Sequence, residues 1–215
     1  MSYLGFKPTR PVAALCTAAM LSLGACSPAM MGTTSADMTA NLTSVAAHQA
    51  EIEEAQLALS RAQGDGARQY AQRMISEHSP LLQRDAQMAM QMHHAAMGMS
   101  GSGMSASAGA SMGGSDGPMV SADVRAMLMA NPTTARLVQD HMQAMQRLQS
   151  APAAGFDRMY MQRQVQAHQM VLSQMDALMP AVANPEVRAV MAQERPAVAA
   201  HLQMAQQMTA SMASM

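Results

Sequence analysis

Four stretches of this chain repeat apolar residues at alternating steps of three and four, and that spacing restricts what it can build to helices. Val45, His48, Ile52, Ala55, Leu59 and Ala62 form the first such seam, since steps of this kind return to one face of a 3.6-residue turn. Tyr70, Met74, Ile75, His78 and Leu81, with either Leu82 or Asp85, mark a second that continues to about Met97. Met161, Val165, His168, Leu172, Met175 and Met179 mark a third, in a helix expected over 156–179. Val187, Met191, Glu194, Val198, His201, Ala205 and Met208 mark a fourth, from 185 to about 212. No segment alternates with the two-residue period of a strand. The expected fold class is all-α.

The punctuation between seams sets the topology. Gly64-Asp65-Gly66 separates the first two helices. Pro180 to Pro185 separates the last two, with Asn184 as N-cap and Pro185 as the first helical residue. The pairs are joined by a long connection. Residues 98–117 are rich in Gly, Ser, Ala and Met, a short helix is expected over 121–129, another near 134–149, and Ala151 to Gly155 reads as a turn. Two hairpins joined by a long crossover that contains one or two shorter helices outline a ferritin-like four-helix bundle. The first hairpin is assigned to 40–98, a low-complexity insert to 99–120, and the crossover helices with the second hairpin to 121–212 of the same domain. Pro80 and Pro196 are expected to kink their helices. A faint repeat relates the hairpins: QMAMQM at 87–92 and QMAQQM at 203–208, an offset that also sets Pro80 on Pro196 and His78 on Glu194.

The N-terminus carries Lys7 and Arg10 and then the apolar run PVAALCTAAMLSLGAC from 11 to 26. That run is shorter than the ~20 apolar residues a membrane helix needs, so residues 1–25 read as an export signal. Leu23-Gly24-Ala25-Cys26 resembles the bacterial lipobox, which implies lipidation at Cys26 and a flexible tether over 26–39. An ordinary signal peptide cut after a small residue is the alternative. By resemblance to known lipoproteins, Ser27 after the cysteine implies transfer to the outer membrane, so the expected location is periplasmic, with the membrane as a partner through the anchor.

Only two cysteines occur, Cys16 in the leader and Cys26 at the anchor. A mature chain without a free thiol excludes disulfides, thiolate nucleophiles and cysteine-based zinc sites. Acidic residues number 14 against 13 basic ones, and two of the latter, Lys7 and Arg10, lie in the leader; no basic patch suits nucleic acid. Methionine, at 28 residues, takes over the core role that the missing aromatics would play. GSGMSASAG lies in the connection rather than between a strand and a helix, so it is no phosphate loop, and no nucleophile elbow occurs. A redox activity carried by a bound metal is the one enzymatic version compatible with this chain.

The four seams each carry a histidine: His48, His78, His168 and His201. At ~1.5 Å per residue, Glu51 and His78 lie roughly 20 Å from the first turn, His168 and Glu194 roughly 21 and 18 Å from the second, and His201 near 28 Å. If both turns sit at one end, Glu51, His78, His168 and Glu194 share a layer that can bind a transition metal. The competing reading has buried histidines bonding to acids or tyrosines across the bundle, His78 to Glu51 or Tyr160 and His168 to Glu194, and fixing helix register. The chain lacks the paired Glu-x-x-His of di-iron bundles, because Glu77 and His78 are neighbours facing different ways. A second candidate is soft: Met88, Met92, His93, His94, Met97 and Met99 offer thioethers and imidazoles for copper or another transition metal. Apolar core is the alternative reading of that stretch.

The segments EIEEAQLALSRA, ARQYAQRMISEHS, FDRMYMQRQVQAHQMVLSQM and NPEVRAVMAQERPAVAAHLQMAQ resemble the bacterial domain-of-unknown-function family 4142. The resemblance covers about 40–212 and implies export and a ferritin-like fold, with no reaction attached. Glu77 stands where that family usually has aspartate.

Overall fold

The computed structural model describes residues 34–98 and 120–214. The leader, Cys26, most of the expected tether and the Met/Gly/Ser insert with Met99 lie outside the described residues. Within them are six helices: α1 (Ser35–Arg61), α2 (Asp65–Ala96), α3 (Ala122–Ala130), α4 (Pro132–Ser150), α5 (Ala153–Leu178) and α6 (Pro185–Ala213), with a single 3-10 turn at Met179–Ala181. The described residues contain no strand, and the architecture is an all-helical bundle of the ferritin-like kind. No described helix is long and apolar enough to cross a membrane.

Capping explains where the helices start. Asn184 accepts from the Glu186 and Val187 amides, with Pro185 as the first residue of α6. Asn131 does the same for Thr133 and Thr134 ahead of α4, again with proline following. Two boundaries differ from expectation. α1 already includes 35–39, counted above as tether, because Thr34 and Asp37 form a reciprocal capping box. Ala153 to Gly155, read as part of a turn, opens α5 instead. α2 and α6 run on as continuous helices through Pro80 and Pro196.

The bonds at the two ends fix the direction of every helix. At one end, Asp157 at the start of α5 accepts from the Gln63 and Gly64 amides of the α1–α2 turn at 3.0 and 2.7 Å. Arg61 there donates to the Leu148 and Ala151 carbonyls, both at 2.6 Å, closing the C-terminus of α4. At the other end, Asp37 Oδ1 near the start of α1 accepts from the Ala183 and Asn184 amides of the α5–α6 turn, at 2.7 and 2.9 Å. Asn131 ahead of α4 donates to Thr39 at 2.8 Å. α4 is therefore the crossover itself, running the length of the bundle beside α1, and α2 and α5 run parallel. The two tight turns sit at opposite ends, not at the same end.

α1 is packed on by α2, α4 and α5, and is touched by α3 and α6 as well. Every residue from 40 to 46 is buried, so the single seam read from its sequence covers only part of what it hides. One apolar cluster, with Tyr70, Met74, Phe156, Tyr160 and Met161, fills the end near the α1–α2 turn. Another, with Met88, Met92, Met175, Val187, Met191 and Val198, fills the opposite end. A third lies under α3 and α4 around Leu42, Val45, Ile52, Leu82, Val124 and Leu128. By chain position His78, His168 and His201 fall between the first two.

Candidate metal centre

Four buried histidines meet in that middle layer, one from each long helix: His48, His78, His168 and His201. His78 is the hub, with ring centroids at 5.0 Å from His48, 5.2 Å from His201 and 6.3 Å from His168. Each of the other two members of the trio His78, His168 and His201 is held through one ring nitrogen by a non-histidine partner. His201 Nε2 donates to Glu77 Oε2 at 2.6 Å. His168 Nδ1 donates to the Gln164 carbonyl at 2.9 Å. His78 Nδ1 lies 2.8 Å from His48 Nδ1. One ring nitrogen from each of the three lies within 4.8 Å of the others.

The spacing of one pair suits a metal. His78 Nε2 and His201 Nδ1 are 3.3 Å apart, and two nitrogens bonded tetrahedrally at ~2.0–2.1 Å stand about 3.4 Å apart. His168 Nε2 is buried and has no hydrogen-bond partner among the described residues. So is Glu51 Oε2, whose other oxygen lies 3.6 Å from His168 Nδ1. A cavity of about 10 Å³, the scale of one ion or water, is lined by His48, Glu51, His78, His168 and Glu194 but not by His201, with Met175 and Val198 on its apolar side.

Burial keeps the trio neutral. It pushes His78 well below the ordinary imidazole range, helped by the three neighbouring histidines. It lowers His168 to about 4. It lowers His201 too, against the pull of Glu77. Neutral imidazoles are what a transition metal takes as ligands, and binding at His78 Nε2 displaces the proton that nitrogen turns toward His201 Nδ1 while Nδ1 accepts from His48. His48 goes the other way: burial acts to lower it, but its pairing with Asp85 and Glu194 holds it up at about 9. Burial, with the Glu54 charge, pushes Glu51 up to about 8.

His48, Asp85 and Glu194 form a second group beside the trio. His48 Nε2 bonds Glu194 Oε1 at 3.2 Å and lies 3.3 Å from Asp85 Oδ2. Ser44 donates to Glu194 Oε2 at 3.1 Å, and Arg84 donates to Asp85 Oδ1 at 2.8 Å and to Glu194 Oε1. A separate buried network, outside the layer, ties α1 to α4 and α5: Glu54 accepts from Arg163 at 2.9 Å, from Gln164 at 3.2 Å and from His141 at 3.1 Å.

Of the residues proposed from sequence, His78, His168 and Glu51 come together as expected. Glu194 lines the same cavity and also groups with His48 and Asp85, while His201 joins His78 and His168. The depth expected for His201 changes, because the turns lie at opposite ends and α6 therefore runs parallel to α1. His168 pairs with Gln164 and Glu51 rather than with Glu194, and His78 pairs with His48 and His201 rather than with Glu51 or Tyr160, whose hydroxyl has no hydrogen-bond partner among the described residues. Met88 and Met92 are buried in the apolar cluster at the far end, while His93 and Met97 are exposed and His94 half-buried at the end of α2. His48, Asp85 and Arg84 were not among the candidate ligands. Asp85 stands seven residues from His78, two turns along the same face, and that spacing was the available signal.

The class this defines is an all-helical, ferritin-like bundle with a buried histidine layer. The family model described as Domain of unknown function (DUF4142) matches residues 22–111 and 118–208, and the chain belongs to that family. No curated protein and no solved structure matches the chain.

Proposed function

We propose that this protein is an exported metal-binding bundle that sequesters or buffers one transition-metal ion between His78, His168 and His201. One observation carries the reading: three buried imidazoles, two of them held through one nitrogen by Glu77 and by the Gln164 carbonyl, each bring a nitrogen within 4.8 Å of the others. Metal-ligating histidines characteristically give their second nitrogen to a carboxylate, a carbonyl or another polar group, which fixes ring and tautomer. Copper and zinc are the metals that an all-imidazole set favours, and Glu51 is placed to add an oxygen ligand. Cys26 would carry lipid and hold the bundle on the outer membrane, facing the periplasm. This reading supports capture of the ion rather than turnover.

Elemental analysis of protein purified from its native envelope, followed by titration of the metal-free protein with Cu(I), Cu(II) and Zn(II), tests it. About one ion per chain is expected, lost when His78, His168 and His201 are replaced together. Equal binding by wild type and the triple variant would reject the site.

A second reading has its own observation. His48, His78, His201 and Glu77 already form a connected chain of contacts at 2.8, 3.3 and 2.6 Å. Such a chain can fix helix register with no metal. Protein that binds no metal and unfolds more easily with each histidine removed would favour that reading.

A further inference from the structure

We propose that Arg84 sets the number of ions this layer can hold: its guanidinium occupies the cation position of the His48/Asp85/Glu194 group and restricts the centre to one metal. The inference rests on the trihistidine reading above.

Two ligand-like trios share an edge, joined by the 2.8 Å contact between His48 Nδ1 and His78 Nδ1. Their chemistries differ. The first offers three imidazoles. The second offers one imidazole and two buried carboxylates, a harder set whose negative charge also draws in a divalent cation. By ligand chemistry alone the second could hold an ion of its own. Arg84 prevents that. It reaches in from a partly exposed stem, Nε bonding Asp85 Oδ1 at 2.8 Å and Nη2 bonding Glu194 Oε1, the oxygen that His48 also contacts. A guanidinium is permanently charged, and its planar fork engages two carboxylates at once. It therefore takes lone pairs on Asp85 Oδ1 and Glu194 Oε1 that a metal would need, leaving Asp85 Oδ2 toward His48, and supplies the positive charge that a metal would otherwise bring. Without it, two buried acids would face one imidazole with too little compensating charge, an arrangement that is costly unless another cation enters.

Cobalt(II) is the probe, because the ion count can be read by titration and the coordination by its visible absorption. Wild type is expected to hold one ion, R84Q two, and R84Q combined with D85N one again. R84Q is prepared both as purified and refolded with cobalt present, so that loss of the guanidinium's contribution to folding does not hide the count. Two ions in wild type, one in R84Q, or two in the double variant would each overturn the assignment. No ion in wild type would reject the trihistidine reading itself, a failure distinct from one ion in both wild type and R84Q.

Discussion

Replacing His168 with leucine separates a ligand from a register pin, because the two roles predict opposite orders of stability. In the metal-free protein, His168 Nε2 is buried with no partner, and an orphaned buried polar atom costs about 1–3 kcal/mol. Its one compensating hydrogen bond, to the Gln164 carbonyl at 2.9 Å, contributes about 0.5–1.5 kcal/mol. Burial, with the Glu54 charge, holds Glu51 up at about 8, toward its neutral form, so losing the imidazole strands little charge beside it. His168→Leu should therefore be more stable than wild type in chelator, by about 1 kcal/mol, or ~2–4 °C in Tm for a domain of this size. With metal at a hundredfold excess over Kd, wild type should gain about 2.7 kcal/mol and the variant nothing, so the order reverses. Thermal melts followed by circular dichroism, in chelator and in metal, read both arms. A variant less stable than wild type in chelator, with metal raising neither protein, would refute the reasoning and leave His168 as a register pin.

Asp37→Ala should destabilise the bundle by about 2–4 kcal/mol in urea denaturation, because the buried carboxylate caps α1 and holds the Ala183 and Asn184 amides of the far turn. His141 should make stability fall on the alkaline side. Burial acts to lower its pKa, but Glu53 and Glu54 raise it to about 9. A raised pKa contributes stability that is complete below pH ~6.5 and lost as pH rises through about 9, on the order of 2–3 kcal/mol. Denaturation at pH 6 and at pH 10 should show a smaller loss in His141→Gln than in wild type, the part common to both coming from His48, which Asp85 and Glu194 hold up at about 9. Cys26→Ser should move the protein from the membrane fraction to the soluble envelope fraction, read by fractionation; retention on the membrane would remove the proposed anchor.

Local spacing decided a good deal. The seam of α6 was legible almost to its end: Val187, Met191, Glu194, Val198, His201 and Ala205 are buried, and Met208 is half-buried. The caps at Asn184 and Pro185 were legible too, since a cap is made within four residues of chain. α1 was read less well. A helix surrounded on nearly every side has no single face, and the buried run from 40 to 46 includes Asn41, Thr43 and Ser44, which composition alone would place in solvent. Asp37 went unnoticed for the same reason, as its partners Ala183 and Asn184 are far away in sequence.

The sequence by itself determined the helical class, the four seams and the fact that each carries an inward histidine, because the 3.6-residue turn is a property of neighbouring residues. Which imidazoles meet was decided by tertiary structure alone. Depth along a helix becomes height in a bundle only once the direction of each helix is fixed, and α4 fixes it by carrying the chain from one end to the other. That crossover sets α6 parallel to α1, brings His201 to His78, and leaves Glu194 to His48 and Arg84.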